Sequence, residues 1–206
     1  SSQIDYGKDI IPYGKDNNFP LKIARLVQNS PTASSCIDTK IDFIEGDGFS
    51  EEALDNLVVN AQGERWGDIH SKNAEAYGLF EGFAVLVKYN SVGKKTEFYN
   101  IPFEYCRLSK PDDKGNIVKI KYNPYFGTAE YDKKYTKEYD VYNPSERVVL
   151  SQRAKEGKNY KGQILYYATT SPLSRMYPLP KYYSCENWMA VDEAIAGFHK
   201  HNIENG

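Results

Sequence analysis

The spacing of apolar residues divides the chain into a helical opening, a strand-rich middle and a helical end. Phe19-Pro20 opens a stretch in which Leu21, Ala24 and Val27 share one face, which predicts a short helix. Ser30-Pro31 is a helix start: a capping hydroxyl, then proline at a first position that needs no N–H donor. Ala33, Ile37, Ile41 and Ile44 then recur at helical spacing, a stripe expected to be buried, until Gly46 and Gly48 stop the helix. Ser50-Glu51-Glu52 starts a further helix carrying Leu54, Leu57 and Val58. After Gly63 the clearest helix of this half has Trp66, Ile69, Asn73, Ala76, Tyr77 and Phe80 along one side and His70, Lys72 and Glu75 outside. Gly78 and Gly82 weaken its end. The residues before Asn18 are polar and glycine-punctuated, which predicts an arm or a disordered lead-in.

From Phe83 the period changes from helical to extended. Phe83–Tyr89 is a strand, Asn90–Lys95 a turn, and Thr96–Ile101 a strand that pairs back before Pro102 ends it. The run Pro111–Asn116 (PDDKGN) is a turn between strands at Tyr105–Leu108 and Ile117–Tyr122. Further strands are expected at Tyr139–Tyr142, Arg147–Leu150 and Gln163–Ala168. The last segment returns to helix, with Ser184 as its cap and Trp188, Val191, Ile195 and Phe198 on one side. That pattern runs up to Asn205-Gly206 and is expected to continue past it.

This order predicts an α+β fold: N-terminal helices, a β-rich middle subdomain and a C-terminal helix. The expected division is residues 1–95, 96–170 and 171–206. There is no internal repeat and no low-complexity segment.

Composition narrows the function. The formal net charge is −2, so no global basic field draws the chain to nucleic acid. The charge is uneven: residues 1–109 carry 11 Lys/Arg against 16 Asp/Glu, and residues 110–161 carry 12 against 8. Eighteen tyrosines suit half-buried strands and interfaces, since each joins a flat apolar body to a polar tip. Cys36, Cys106 and Cys185 have no paired spacing, which favours free thiols in a reducing cytoplasm. No apolar run approaches the roughly 20 residues that span a bilayer, and no charged-then-apolar signal segment opens the chain. A soluble, cytoplasmic chain with no membrane partner is the expectation.

No constellation of residues points to catalysis. His199 and His201 are two apart on a helix and point in different directions, a poor metal pair, and His70 stands alone. The cysteines lack the CxxC spacing of a zinc site. Asp112-Asp113 sits in a turn signal, and Glu45-Gly46-Asp47-Gly48-Phe49 follows a helix, so it reads as a terminator and not a phosphate loop. The ATPase signature G-x-x-x-x-G-K-[ST] does not occur. Lys119, Lys121, Lys133, Lys134 and Lys137 interleave with Tyr122, Tyr125, Tyr131, Tyr135 and Tyr139, a pattern that can track a nucleic-acid backbone. Glu130, Asp132, Glu138 and Asp140 dilute that field, so a solvated lysine surface is the expected reading. No catalytic, cofactor-binding or metal-ligating residue is therefore assigned, and no enzyme activity is expected.

Four segments, taken in order, resemble the portal proteins of tailed bacteriophages. DNNFPLKIARLVQNSPTASSCIDTKIDFIEGDGF (Asp16–Phe49) is similar to the family's N-terminal helices, with Phe-Pro, a Ser-Pro break and a closing Gly-x-Gly-Phe. AEAYGLFEGFAVLVKYN (Ala74–Asn90) resembles its helix–glycine–strand element. FYNIPFEYCRLSK (Phe98–Lys110) resembles its Pro-x-x-x-x-Arg passage, here Pro102 to Arg107. YPLPKYYSCENWMAVDEAIAGFHKHNIENG (Tyr177–Gly206) resembles a segment with Tyr-Pro-x-Pro-x-Tyr before a long helix ending in Ile-x-Asn-Gly. The match is loosest over Asn123–Lys161, where portals diverge most.

The resemblance implies a structural subunit of a ring of about twelve copies around a DNA channel. It places the chain at the capsid portal vertex of a virion, and in the host bacterial cytoplasm during assembly. The implied partners are other copies of the chain, the terminase large subunit, a head–tail adaptor, capsid and scaffold proteins, and double-stranded DNA passing without sequence specificity. In family terms, residues 1–95 correspond to wing and stem, 96–170 to a clip-like part and 171–206 to a truncated stem or wing helix, with more helix and a crown beyond Gly206. The competing readings are another phage adaptor or structural interaction protein, an enzyme with an unrecognised site, and a nucleic-acid-binding module.

Overall fold

The computed structural model describes residues 9–172 and 174–205. It has the expected α+β architecture. Helices α1 (Phe19–Asn29), α2 (Pro31–Glu45), α3 (Glu52–Asp55) and α4 (Trp66–Phe80) come first. Strands β1 (Gly82–Tyr89), β2 (Lys95–Ile101), β3 (Cys106–Leu108), β4 (Lys119–Tyr122) and β5 (Lys137–Val141) follow, then helix α5 (Glu146–Glu156), β6 (Gln163–Ala168) and α6 (Glu186–Asn205). The six strands form one sheet in the order β2-β1-β6-β5-β4-β3. Every pairing is antiparallel except β5 with β6, where Asp140 faces Gln163 and Val141 faces Ile164. That parallel pair needs a crossover, and α5 supplies it.

Local signals explain the helix ends. The Ser30 hydroxyl accepts from the Ala33 amide at 3.1 Å, so the predicted cap of α2 is present. The Arg65 amide donates to Asp68 Oδ2 at 2.7 Å at the start of α4. The end of α4 is set by close packing as well as by weak propensity. A β-carbon at Gly78 would run into the Ile41 side chain on α2, so glycine here lets two helices approach. Ser184 does not head α6 as expected: it lies in a 3₁₀ turn, Lys181–Cys185, and its hydroxyl donates back to the Lys181 carbonyl at 3.1 Å.

Three further expectations are corrected. The segment before Asn18 is no arm where the structure describes it, from Asp9 onward. Ile10, Tyr13 and Asn17 are buried, Ile10 bridges Ser109, and the Tyr13 ring stacks on Tyr177 at 4.2 Å. Residues 1–8 of that expectation lie outside the described residues. Arg147–Leu150 is not a strand but part of α5, because Val149 alone turns inward, against Val87 and Tyr89, while Arg147 and Leu150 stay exposed. In α1 the fully buried residue is Ile23 and not Leu21, since the helix docks with Pro20, Ile23 and Val27 inward.

The largest core cluster joins Tyr13 and Ile23 with Phe80, Leu86, Phe103 and Ile120, and extends to Tyr139, Ile164 and Tyr177. Burying each of the larger apolar side chains contributes about 2 kcal/mol. This single core draws on residues from all three expected segments. Tyr13 and Ile23 of the first part thus pack with Phe103, Ile120 and Tyr139 of the second.

Candidate interaction surfaces

The lysine–tyrosine tract of the middle region folds into strands β4 and β5 and the turns beside them. There four of its five lysines, all but Lys137, meet carboxylates. Lys119 Nζ lies 2.9 Å from Asp140 and 2.7 Å from Glu156, which ties the sheet to α5. Lys121 lies 3.0 Å from Glu138, and Lys134 lies 2.7 Å from Asp132. Asp140 is buried, and desolvation pushes its pKa up while the Lys119 ammonium pulls it back. Paired in this way, the tract offers no unbroken basic track for a phosphate backbone.

The other sequence candidates occupy structural positions. His70 Nε2 is 3.0 Å from the Glu45 carbonyl, and its ring packs 5.3 Å from Phe49, so it closes the end of α2 onto α4. His199 lies on exposed α6, with Phe198 at 6.0 Å. Asp112 Oδ1 accepts from the Lys114 and Asn116 amides at 2.9 and 2.8 Å, the hydrogen bonding of a side-chain-closed turn. Cys36 and Cys185 are exposed free thiols, and Cys106 is buried, its pKa pushed up to about 12 by desolvation. Among the described residues no group of three His, Cys, Asp or Glu is placed to hold a metal.

Arg107 closes the quoted Pro-x-x-x-x-Arg passage, and sequence reasoning left it without a role. It is fully buried. Its guanidinium donates to the carbonyls of Asn17, Glu104 and Cys106, each at 2.7 Å, and to the Asn17 side-chain oxygen. The ring of Phe126 lies 5.1 Å from Cζ and that of Tyr13 5.7 Å. Burial pulls its pKa below the ordinary arginine value. The arrangement clamps the N-terminal segment to β3.

Two of the grooves among the described residues lie between helices. The first, of about 460 Å³, runs between α2 and α6 and is lined by Ala33, Cys36, Ile37, Trp188 and Ile195. The polar side of α6 holds it in place: Asp192 accepts from the Ser30 hydroxyl at 2.6 Å and the Thr32 amide at 3.1 Å. Met189 is the residue of α6 that enters a core, with Val27 and Ile37. The stripe read from the sequence stays outside, with Trp188 75% and Phe198 63% exposed, which makes it a surface feature of this chain. The second groove, of about 610 Å³, lies between α1, α2 and α4.

No family model matches the chain, and no curated protein matches it. Solved structures do share its fold, among them chains of gene transfer agent particles. A chain in the virion of the native gene transfer agent particle superimposes with a TM-score of 0.68 at 13% identity, over 97% of this chain and 48% of that one. A chain in the neck of the empty particle, computed with C6 symmetry, gives 0.66 at 12% identity, over 99% and 51%. A chain in the neck of the native particle, computed with C12 symmetry, gives 0.66 at 13%, over 98% and 48%. The chain thus spans about half the length of the structures it matches. At these identities the likeness is one of fold.

Proposed function

We propose that the chain is part of a portal subunit: a structural protein that repeats around the neck of a phage-like virion and surrounds the path of its DNA. The observation that carries this reading is the fold shared over nearly the whole chain with neck chains solved under C6 and C12 symmetry. The ordered resemblance to portal segments, found independently in the sequence, supports it. The role is structural and not enzymatic. Its partners are other copies of the chain, with terminase, adaptor, capsid and scaffold proteins and the passing DNA as those the resemblance implies. The finer division into wing, stem and clip-like parts rests on the resemblance alone, as a division of roles within one packed unit.

Negative-stain microscopy with mass determination, on the protein at the full length its gene encodes, tests the reading. Closed rings of about twelve copies support it. A monomer or dimer at every salt concentration tried overturns it in favour of an adaptor. Salt-dependent binding of duplex DNA by those monomers would favour the nucleic-acid-binding reading instead.

A further inference from the structure

Contacts around an axis of more than two copies are heterologous, so each copy must carry two different faces that fit one another. Two surfaces of this chain meet that requirement, and the inference drawn from them rests on the ring reading above.

The first is the groove between α1, α2 and α4. Val27, Ile37, Ile41 and Leu79 give it an apolar floor, and Asp38, Asp42 and Glu75 an acidic rim. Asp38 and Asp42 stand one helical turn apart, a like-charge spacing that disfavours a helix slightly. Among the described residues none of the three rim carboxylates is in an ion pair. The nearby Lys40 is engaged elsewhere, with Glu81 at 3.5 Å and the Gly78 carbonyl at 3.1 Å.

The second is the outer ridge of α5. Arg147, Leu150, Ser151, Ala154 and Lys155 recur at spacings of three, one, three and one, a single helical face, and all are exposed. Lys158 extends it. The helix's two carboxylates are already neutralised, Glu146 by Lys94 and Glu156 by Lys119. Among the described residues Arg147, Lys155 and Lys158 form no ion pair. The ridge is therefore basic with a small apolar centre, the inverse of the groove, and the two share no residue.

We propose that the α5 ridge of one copy lies in the α1–α2–α4 groove of the next. Leu150 and Ala154 cover the apolar floor, and Arg147, Lys155 and Lys158 face Asp38, Asp42 and Glu75. DNA does not satisfy both surfaces, because the acidic rim repels phosphates. A second copy does, with charge complementarity setting the order of subunits and making assembly salt-sensitive.

The test uses the full-length protein and two charge-reversed variants, K155E/K158E and D38K/D42K, each checked for unchanged thermal unfolding. Each variant alone is expected to fail to form rings at moderate salt, with self-association weakened at least about tenfold. An equimolar mixture is expected to recover rings, since the acidic ridge of the first then meets the basic groove of the second, and the unaltered ridge and groove meet in turn. R147E, at the other end of the ridge, should weaken assembly on its own. If the unaltered protein forms rings and the variants form them equally well, or if the mixture fails to recover them, this interface is wrong and the ring reading stands. If the unaltered protein never forms rings, both fall.

Discussion

The Arg107 guanidinium takes the Asn17 backbone oxygen at 2.7 Å and its side-chain oxygen as well, across 90 residues of sequence. Asn17 is itself buried, and its side-chain oxygen also accepts from the Tyr13 amide at 2.9 Å. The left-handed backbone at Asn17, with φ at 56°, brings these acceptors to one point. The first segment of the chain is thereby held to β3 by a charged group whose partners are mainly carbonyls.

Arg107→Met is therefore expected to lower stability by about 3 kcal/mol or more, because buried acceptors lose charge-assisted bonds and gain nothing. Arg107→Lys should recover only a part, since an ammonium does not span the same fork of acceptors. Urea unfolding of the three proteins checks this. A loss under about 0.5 kcal/mol, the size of an ordinary surface change, would show that Arg107 does not hold the segment.

At Gly78 the expected sign opposes helix propensity. Alanine in place of glycine favours a helix by about 1 kcal/mol. Here the added methyl group meets Ile41, and overpacking costs about 1–3 kcal/mol. Gly78→Ala should be destabilising, and Gly78→Ala with Ile41→Ala should be more stable than the sum of the two single changes allows. A double-mutant cycle by thermal unfolding measures that coupling, and additive effects would contradict the close α2–α4 approach.

Lys119 neutralises Asp140, whose side chain is only 9% exposed. Lys119→Met leaves that carboxylate without its cation and is expected to cost about 2 kcal/mol at neutral pH, a value reduced for the partial exposure of the lysine. The pH dependence has a definite sign. The folded pKa of Asp140 is raised above its ordinary 3.8, so its protonated form is the one the fold prefers. The associated stability is present in full below the ordinary value and is lost as pH rises through the folded one. The deficit of Lys119→Met should accordingly shrink between pH 7 and pH 4. Urea midpoints at those two values decide it, and a deficit that grows on acidification would contradict the assignment.

Local patterns carried most of the element order. Ser30-Pro31 capped α2, the run from Phe83 to Tyr89 made a strand, and PDDKGN made a turn, because each depends on a few neighbouring residues and on periods of 3.6 or 2. Arg147–Leu150 was misread because two adjacent valines suit a strand equally well, and only the parallel β5–β6 pairing demands a helical crossover there. The α6 stripe was read correctly as a pattern, but the sequence could not say which side docks. Asp192 and Met189 decide that by meeting α2, and Trp188 is left outside.

By itself the sequence determined the α+β class, the order of the helices and strands apart from α5, and the want of a recognisable catalytic motif. These follow from short-range propensity, spacing and residue chemistry. Only the tertiary structure decided that Tyr13 and Arg107 share a core region, that most of the lysine tract is paired with carboxylates, and that an acidic groove and a basic ridge lie on separate surfaces. Each of those depends on contacts between residues tens of positions apart, and no local period encodes them.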